Sequence, residues 1–95
     1  MSEELHIAGI VVHARPGSVE RVAASISGVP GTEVHAASPD GRLVVTLEGS
    51  SAREIAARMD DIQRLDAVLS ASLVYQHNES LEAMMEEVSH ENNQA

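Results

Sequence analysis

The sequence of 95 residues predicts an α+β domain in which a strand–helix–strand unit occurs twice. The two copies lie at about residues 6–38 and 42–75. Each has β-branched apolar segments at both ends and, between them, a segment whose apolar residues recur at the 3.6-residue helical period. A chain of this length supports one domain with one modest core.

The first unit begins with a predicted strand at residues 7–14, which ends before Pro16 because proline has no N–H for a sheet ladder. Ser18 is expected to cap the helix that follows. The apolar positions of this helix are Val19, Val22, Ala23 and Ile26. Gly28 and a Val-Pro-Gly turn end the helix, and the alternating residues 32–37 form the second predicted strand.

The second unit follows a predicted hairpin turn at residues 39–41, Pro-Asp-Gly, where Asp-Gly accepts positive φ at low cost. The third strand is predicted at residues 42–48. Ser51 and Glu54 have the spacing of a capping box at the start of the second helix. The apolar stripe of this helix is Ala52, Ile55, Met59 and Ile62. The fourth strand is predicted at residues 68–76.

The resulting order, β-α-β-β-α-β, is that of a ferredoxin-like fold. Right-handed crossovers then predict a four-stranded antiparallel sheet in the order 4-1-3-2, with both helices on one face. We assign residues 1–77 to this domain and residues 78–95 to an acidic C-terminal tail, partly helical or disordered, which has five acids and no arginine. The apolar stripe of the tail is Leu81, Met84, Met85 and Val88.

Side-chain alternation along the strands separates two faces of the predicted sheet. The bulkier set is expected to face the helices and comprises Ala8, Ile10, Val12, Val34, Ala36, Leu43, Val45, Leu47, Leu69, Ala71, Leu73 and Tyr75. The other set comprises Ile7, Gly9, Val11, His13, Glu33, His35, Ala37, Val44, Thr46, Glu48, Ser70, Ser72 and Val74. Because its central residues are small, this uncovered face could accept a helix or an extended peptide. It could equally be a solvated face without a function, or a dimer interface.

Charge and composition narrow the possible partners. The formal net charge is −9, from 15 acidic residues against six arginines and no lysine. This balance argues against nucleic acid and against an anionic membrane surface, and it favours a cationic partner. The sequence has no cysteine, which removes disulfides and thiolate ligands. It also shows no signal peptide and no membrane span, so we expect a cytoplasmic location.

The sequence predicts neither a catalytic site nor a bound cofactor or metal. His13 and His35 lie on strands that are not neighbours in the predicted order, and no histidine pair has the helical spacing of metal ligands. Asp60 and Asp61 are adjacent, so their side chains diverge on a helix. No serine lies in a nucleophile elbow. These observations favour a binding protein over an enzyme.

Three stretches of the sequence together resemble the NapD family. They are HIAGIVV at residues 6–12, PGTEV and DGRLVV at residues 30–34 and 40–45, and VLSASLVY at residues 68–75. The family consists of small cytoplasmic chaperones of the periplasmic nitrate reductase system. The resemblance covers nearly the whole predicted domain and agrees with the ferredoxin-like fold.

The resemblance implies that the partner is the twin-arginine signal peptide of the precursor of the nitrate reductase catalytic subunit (NapA). In that family the sheet surface receives the peptide in helical form, and binding delays export until the molybdenum cofactor and iron–sulfur cluster are in place. The chaperone carries no cofactor. The contact residues implied on the uncovered face are Ile7, Gly9, Val11, Glu33, Val44, Thr46, Glu48, Ser70, Ser72 and Val74.

Two further expectations concern assembly and the alternative function. The chain is expected to be a monomer or a weak dimer. The alternative is an ACT-like regulatory module, which would bind a small metabolite at a dimer interface. That alternative predicts dimer stability that depends on the metabolite, and no affinity for a basic signal peptide.

Overall fold

A computed structural model describes residues 4–80 of the chain. Its elements, in order, are β1 (Glu4–Ala14), a 3₁₀ turn (Pro16–Ser18), α1 (Val19–Ser27), β2 (Thr32–Ala37), β3 (Arg42–Gly49), α2 (Ala52–Gln63) and β4 (Val68–Ser80). The strands form one antiparallel sheet in the order β2-β3-β1-β4. The predicted ferredoxin-like α+β fold is therefore confirmed, including the strand order.

The outer strand β4 is longer than predicted. It pairs with β1 along its length, from Val68 opposite Ala14 to Ser80 opposite Glu4. Residues 78–80, which were predicted to begin the tail, are therefore part of the sheet. The rest of the predicted tail, residues 81–95, lies outside the described residues.

The core lies between the sheet and the two helices and is made of aliphatic side chains. Its buried members are Ala8, Ile10, Val12, Ala14, Val22, Ile26, Leu43, Val45, Leu47, Ile55, Ile62 and Ala67. Every strand residue in this set but Ala14 was predicted to face the helices. Val19 and Met59 pack at its edge. Both helices cover the same face, so in the described part of the chain the other sheet face has no covering layer.

The two helix starts differ in how they are capped. The Oγ of Ser51 accepts a hydrogen bond from the Glu54 amide at 3.1 Å, as the capping-box spacing predicts. Ser18 occupies the N-cap position of α1, but its side chain makes no capping hydrogen bond. Its Oγ instead accepts a bond from Arg21 Nη2 at 3.4 Å. Ser18 therefore lies at the predicted N-cap position, but the predicted capping by its side chain does not occur.

Both outer strands contain bulges, and these change which side chains face the helices. The β2–β3 register shifts between Val34 and Ala36, and the β1–β4 register shifts between Gly9 and Ile10. A bulge inserts one residue and so reverses the alternation beyond it. Ala36 therefore pairs with Val44 and Tyr75 pairs with Gly9, both on the uncovered face. The predicted helix-facing positions of Ala36 and Tyr75 are wrong for this reason.

The same effect corrects two further positions. Ala37, predicted on the uncovered face, pairs with buried Leu43. A second shift in β4 places Val68 opposite Ala14 and leaves Leu69 63% exposed. Leu69 was predicted to face the helices, but Val68 packs against the core in its place.

The turn before β3 depends on a glycine. Gly41 has φ +110°, and a Cβ there would collide with the carbonyl oxygen of Ala14. The Gly41 carbonyl also accepts a hydrogen bond from the Ala14 amide at 2.7 Å. Because backbone occupies the space, we expect Gly41→Ala to lower the free energy of unfolding by at least about 2 kcal/mol.

Urea unfolding of Gly41→Ala and of a matched variant, Gly17→Ala, would test this expectation. A Cβ at Gly17 meets nothing within 4 Å. Its replacement should therefore change stability by no more than about 0.5 kcal/mol. Equal unfolding midpoints for the two variants would contradict the strain assigned to Gly41.

Candidate functional site

The uncovered sheet face, called here the open face, presents its side chains in four rows set by the strand register. In order along β1, the rows are Glu48, Ile7 and His77; Glu33, Thr46, Gly9 and Tyr75; Ala36, Val44, Val11 and Ser72; and Arg42, His13 and Ser70. Nine of the ten predicted contact residues belong to these rows, and Val74 lies in the β4 bulge. The structure thus brings all ten to one face, while their role in binding stays a prediction.

A shallow apolar groove runs across the middle of the open face. Its volume is about 450 Å³, and it is lined by Gly9, Ile10, Val11, His35, Val44, Thr46, Val74 and Tyr75. The two bulges lie at the same level, and each adds a side chain to the groove, His35 from β2 and Val74 from β4. Val44, Val74 and Tyr75 are each about half exposed or more. Single exposed apolar side chains are common on protein surfaces, but a group of them in one groove is typical of an interaction site.

Tyr75, the one residue of the sequence that is a phenylalanine, tyrosine or tryptophan, contributes its ring to this groove. The ring lies directly against Gly9 across the β1–β4 pair, in the space that a Cβ would occupy. Any side chain at Gly9 must therefore displace the ring. Tyr75 is a groove residue that the strand alternation did not predict. A glycine inside a strand can signal such a close approach, but its partner follows only from the bulged register.

Hydrogen bonds fix the polar wall of the groove. His35 Nε2 is 2.7 Å from Thr46 Oγ1, and His35 Nδ1 is 3.6 Å from a carboxylate oxygen of Glu33. In the last row, His13 Nδ1 is 3.4 Å from Ser70 Oγ. These two histidines therefore have partners within the sheet. Among residues 4–80, no cluster of three or more side chains is arranged to hold a metal ion.

The charges on the open face are segregated by row. Glu48 and Glu33 lie in the first two rows, and in the described part of the chain neither forms an ion pair with an arginine. The opposite end contains Arg42, whose Nη2 is 3.2 Å from Asp40. A hydrogen bond from the Ser38 hydroxyl, together with the nearby Arg42, holds the pKa of Asp40 below its ordinary value. Asp40 thus stays ionised beside Arg42, whereas Glu33 and Glu48 at the other end have no arginine partner among residues 4–80, and Glu33 pairs only with His35.

Arg58 and Glu54 form polar contacts behind the open face, and these contacts stabilise the fold. Arg58 Nε donates to the Glu48 carbonyl at 3.0 Å, and its Nη2 lies 2.8 Å from Glu54. The Ser50 hydroxyl bonded to Glu54, and secondarily Arg58, lowers the pKa of that carboxyl. These contacts anchor the end of β3 to α2.

Neither helix of the described chain has the length and apolar character needed to cross a membrane.

Comparison with curated proteins finds relatives named as chaperones. The sequence is 39% identical over 75 residues to "Chaperone NapD" of Paracoccus pantotrophus, covering 79% of this chain and 66% of that protein. The chain thus spans just under two thirds of that relative. It is 25% identical over 80 residues to "Chaperone NapD" of Escherichia coli K12, covering 83% of this chain and 92% of that protein.

Comparison with solved structures supports the same relationship. The solution structure of the E. coli Tat proofreading chaperone protein NapD matches with a TM-score of 0.75 and 25% identity, over 83% of this chain and 84% of that one. A transcriptional regulatory protein of the AsnC family from Pyrococcus furiosus matches with a TM-score of 0.54 and 15% identity, over 80% of this chain and 50% of that one. At that identity the second likeness shows the fold alone.

The family model described as "NapD protein" matches residues 5–80, the whole of the sheet and both helices. The relatives bear the name of chaperones and not of enzymes, as the sequence analysis expected. A chaperone role implies a client protein, for which the open face is the candidate surface. The chain belongs to the NapD family of chaperones.

Proposed function

We propose that the open face binds the twin-arginine signal peptide of the periplasmic nitrate reductase catalytic subunit precursor in the cytoplasm. Binding would delay export until the catalytic subunit has received its cofactors. The observation that carries this proposal is an apolar groove on an uncovered sheet in a member of the NapD family, with two carboxylates near one end that pair with no arginine of residues 4–80.

The groove matches the chemistry of such a peptide, which has a basic beginning followed by an apolar stretch. Val11, Val44 and Val74 offer apolar contact, and the Tyr75 ring offers a broad surface that is half exposed. Glu33 and Glu48 lie close to one end of the groove, where they can meet arginines. A purely apolar partner would leave these two carboxylates unused.

Magnitudes assign most of the affinity to apolar contact. An exposed arginine–carboxylate pair contributes roughly 0.2–1 kcal/mol. Burial of about 400 Å² of apolar surface at about 25 cal/mol/Å² contributes ~10 kcal/mol before association costs of about 4–15 kcal/mol. The net charge of −9 then acts mainly on the association rate and on orientation.

Sequestration follows from occupancy. A signal peptide whose apolar stretch lies in the groove and whose arginines face Glu33 and Glu48 has its recognition elements covered. Such a precursor cannot engage the translocase until it dissociates. The chaperone therefore needs no catalytic residue, since delay is proportional to the bound fraction.

Titration of the ¹⁵N-labelled protein with a synthetic twin-arginine peptide tests the proposal. We expect saturable binding, with the largest amide shifts at Gly9, Val44, Thr46 and Ser72 and small shifts on α1 and α2. The control is a peptide with two aspartates inside its apolar stretch, which should bind much more weakly. Failure of the first peptide to bind, or shifts centred on the helices, would overturn the proposal.

The same protein and peptide samples distinguish the proposed function from the ACT-like alternative. The AsnC-family likeness extends to the fold alone and therefore gives no support for metabolite binding. Sedimentation with and without the peptide would show whether binding changes the proposed state of monomer or weak dimer. A regulatory module of the alternative type would show no peptide binding at all.

A further inference from the structure

We infer that the open face binds its client in one direction only, an inference that rests on the function proposed above. The basic end of the client lies over Glu33 and Glu48, its apolar segment fills the groove, and its C-terminal end lies toward Arg42 and His13. The client therefore runs parallel to β1. The open face can select one orientation of the client because its two ends differ in charge.

The charge difference follows from the strand register. β1 starts the face at Ile7, beside Glu48, and ends it at His13, beside Arg42. Glu33 joins the first end through its pairing with Thr46. Between the ends, the third row has no charged side chain, and it holds Val11 and Val44. Along one axis the face is thus anionic at its first end, apolar in the middle, and charge-balanced at its last end, where Asp40 pairs with Arg42.

The length of the face lets the client contact both ends at once. From Ile7 to His13 the strand advances six residues, or about 20 Å at about 3.3 Å per residue. A helix covers about 20 Å with roughly 13 residues. The Debye length at 0.1 M ionic strength is about 10 Å. Because the ends are farther apart than this, each interacts with its own part of the client.

The reversed orientation loses the favourable charge pairing. It would leave Glu33 and Glu48 opposite apolar residues and place client arginines beside the Arg42–Asp40 pair, which has no excess negative charge to attract them. A helical client adds a further preference, because the partial negative charge of its C-terminus then meets the carboxylates. In the inferred direction that C-terminus meets Arg42 and His13 instead.

Paramagnetic relaxation measures the direction. The protein has no cysteine, so a nitroxide can be attached to a single cysteine of the peptide alone. We expect a label at the basic end to broaden the amides of Ile7 and Glu48 more strongly than those of Arg42 and Ser70. A label after the apolar stretch should give the opposite pattern.

A charge variant provides an independent readout. At low salt, Glu48→Gln should weaken peptide binding about two- to fivefold, the range expected for one exposed ion pair. Replacing a peptide arginine by glutamine should remove most of that effect. The matched control is Glu20→Gln on α1, which removes the same charge from the helix side and should change affinity less than twofold.

The outcomes separate this inference from the proposed function. If the labelled peptide does not bind, the proposed function fails. If it binds and both labels broaden both ends equally, or if the pattern is reversed, the single direction is wrong while the binding function stands. Equal effects of Glu48→Gln and Glu20→Gln would also overturn the direction, because only net charge would then matter.

Discussion

Replacing Leu47 by alanine is expected to lower the free energy of unfolding by about 2–5 kcal/mol, the usual range for a buried leucine. Leu47 is fully buried on the inner strand β3, as a member of the aliphatic core. Small domains have a total stability of about 5–15 kcal/mol, so the loss is a large fraction of the whole. The measurement is the denaturant midpoint, followed by circular dichroism at constant ionic strength.

Leu69→Ala is the matched control for this substitution. It makes the same chemical change at a leucine that is 63% exposed, and we expect a change within about 0.5 kcal/mol. The sequence alternation assigned both leucines to the buried face, so the pair also tests the second register shift of β4. Comparable losses in the two variants would show that Leu69 is packed and that this shift is misplaced.

The order of elements and the strand topology could be predicted because local signals were strong and mutually consistent. Asp40 and Gly41 marked the hairpin, and Ser51 marked the start of α2. The alternation in β1 and β3 was uninterrupted, so the residues of these inner strands that were assigned to a face, 7–13 and 43–48, were all placed correctly. The order of strands then followed from the handedness of the crossovers.

The outer strands could not be read in the same way, because a bulge depends on the partner strand. One inserted residue reverses every later side chain, and nothing in the local sequence of β4 marks Val74 as the insertion. Tyr75 was therefore assigned to the core, although its ring lies on Gly9. The open face was predicted correctly as a surface, but its aromatic element was missed.

The composition of the sequence predicted the charge of the partner, but it did not predict where the charged residues of the site lie. A net charge of −9 without lysine indicated a cationic partner, and Glu33 and Glu48, which pair with no arginine of residues 4–80, are where such a partner could bind. Composition could not show that Asp40 pairs with Arg42 while these two carboxylates have no arginine partner in the described chain. Charge segregation is a property of the register, and it appears only when the strands are aligned.

Val44→Lys is expected to weaken signal-peptide binding at least a hundredfold, or about 2.8 kcal/mol. Val44 lies in the apolar third row and is 46% exposed in the groove. Lysine would remove the burial of the exposed half of an aliphatic side chain, worth about 1 kcal/mol, and would desolvate a cation beneath an apolar segment, which costs more than that lost burial. Most of the loss should appear as faster dissociation, measured by stopped-flow fluorescence with a labelled peptide.

Two further variants make this result interpretable. Ala57→Lys adds the same charge at an exposed position of α2, on the opposite side of the sheet, and should reduce affinity less than twofold. Val44→Ala removes only methyl groups, so its affinity for the peptide should lie between those of the wild type and Val44→Lys. Circular dichroism should show all three folded, since Val44 is outside the core. A peptide that lies in the groove would desolvate the lysine introduced at Val44, and its affinity would fall. If the peptide binds Val44→Lys as tightly as Ala57→Lys, the peptide does not lie in the groove.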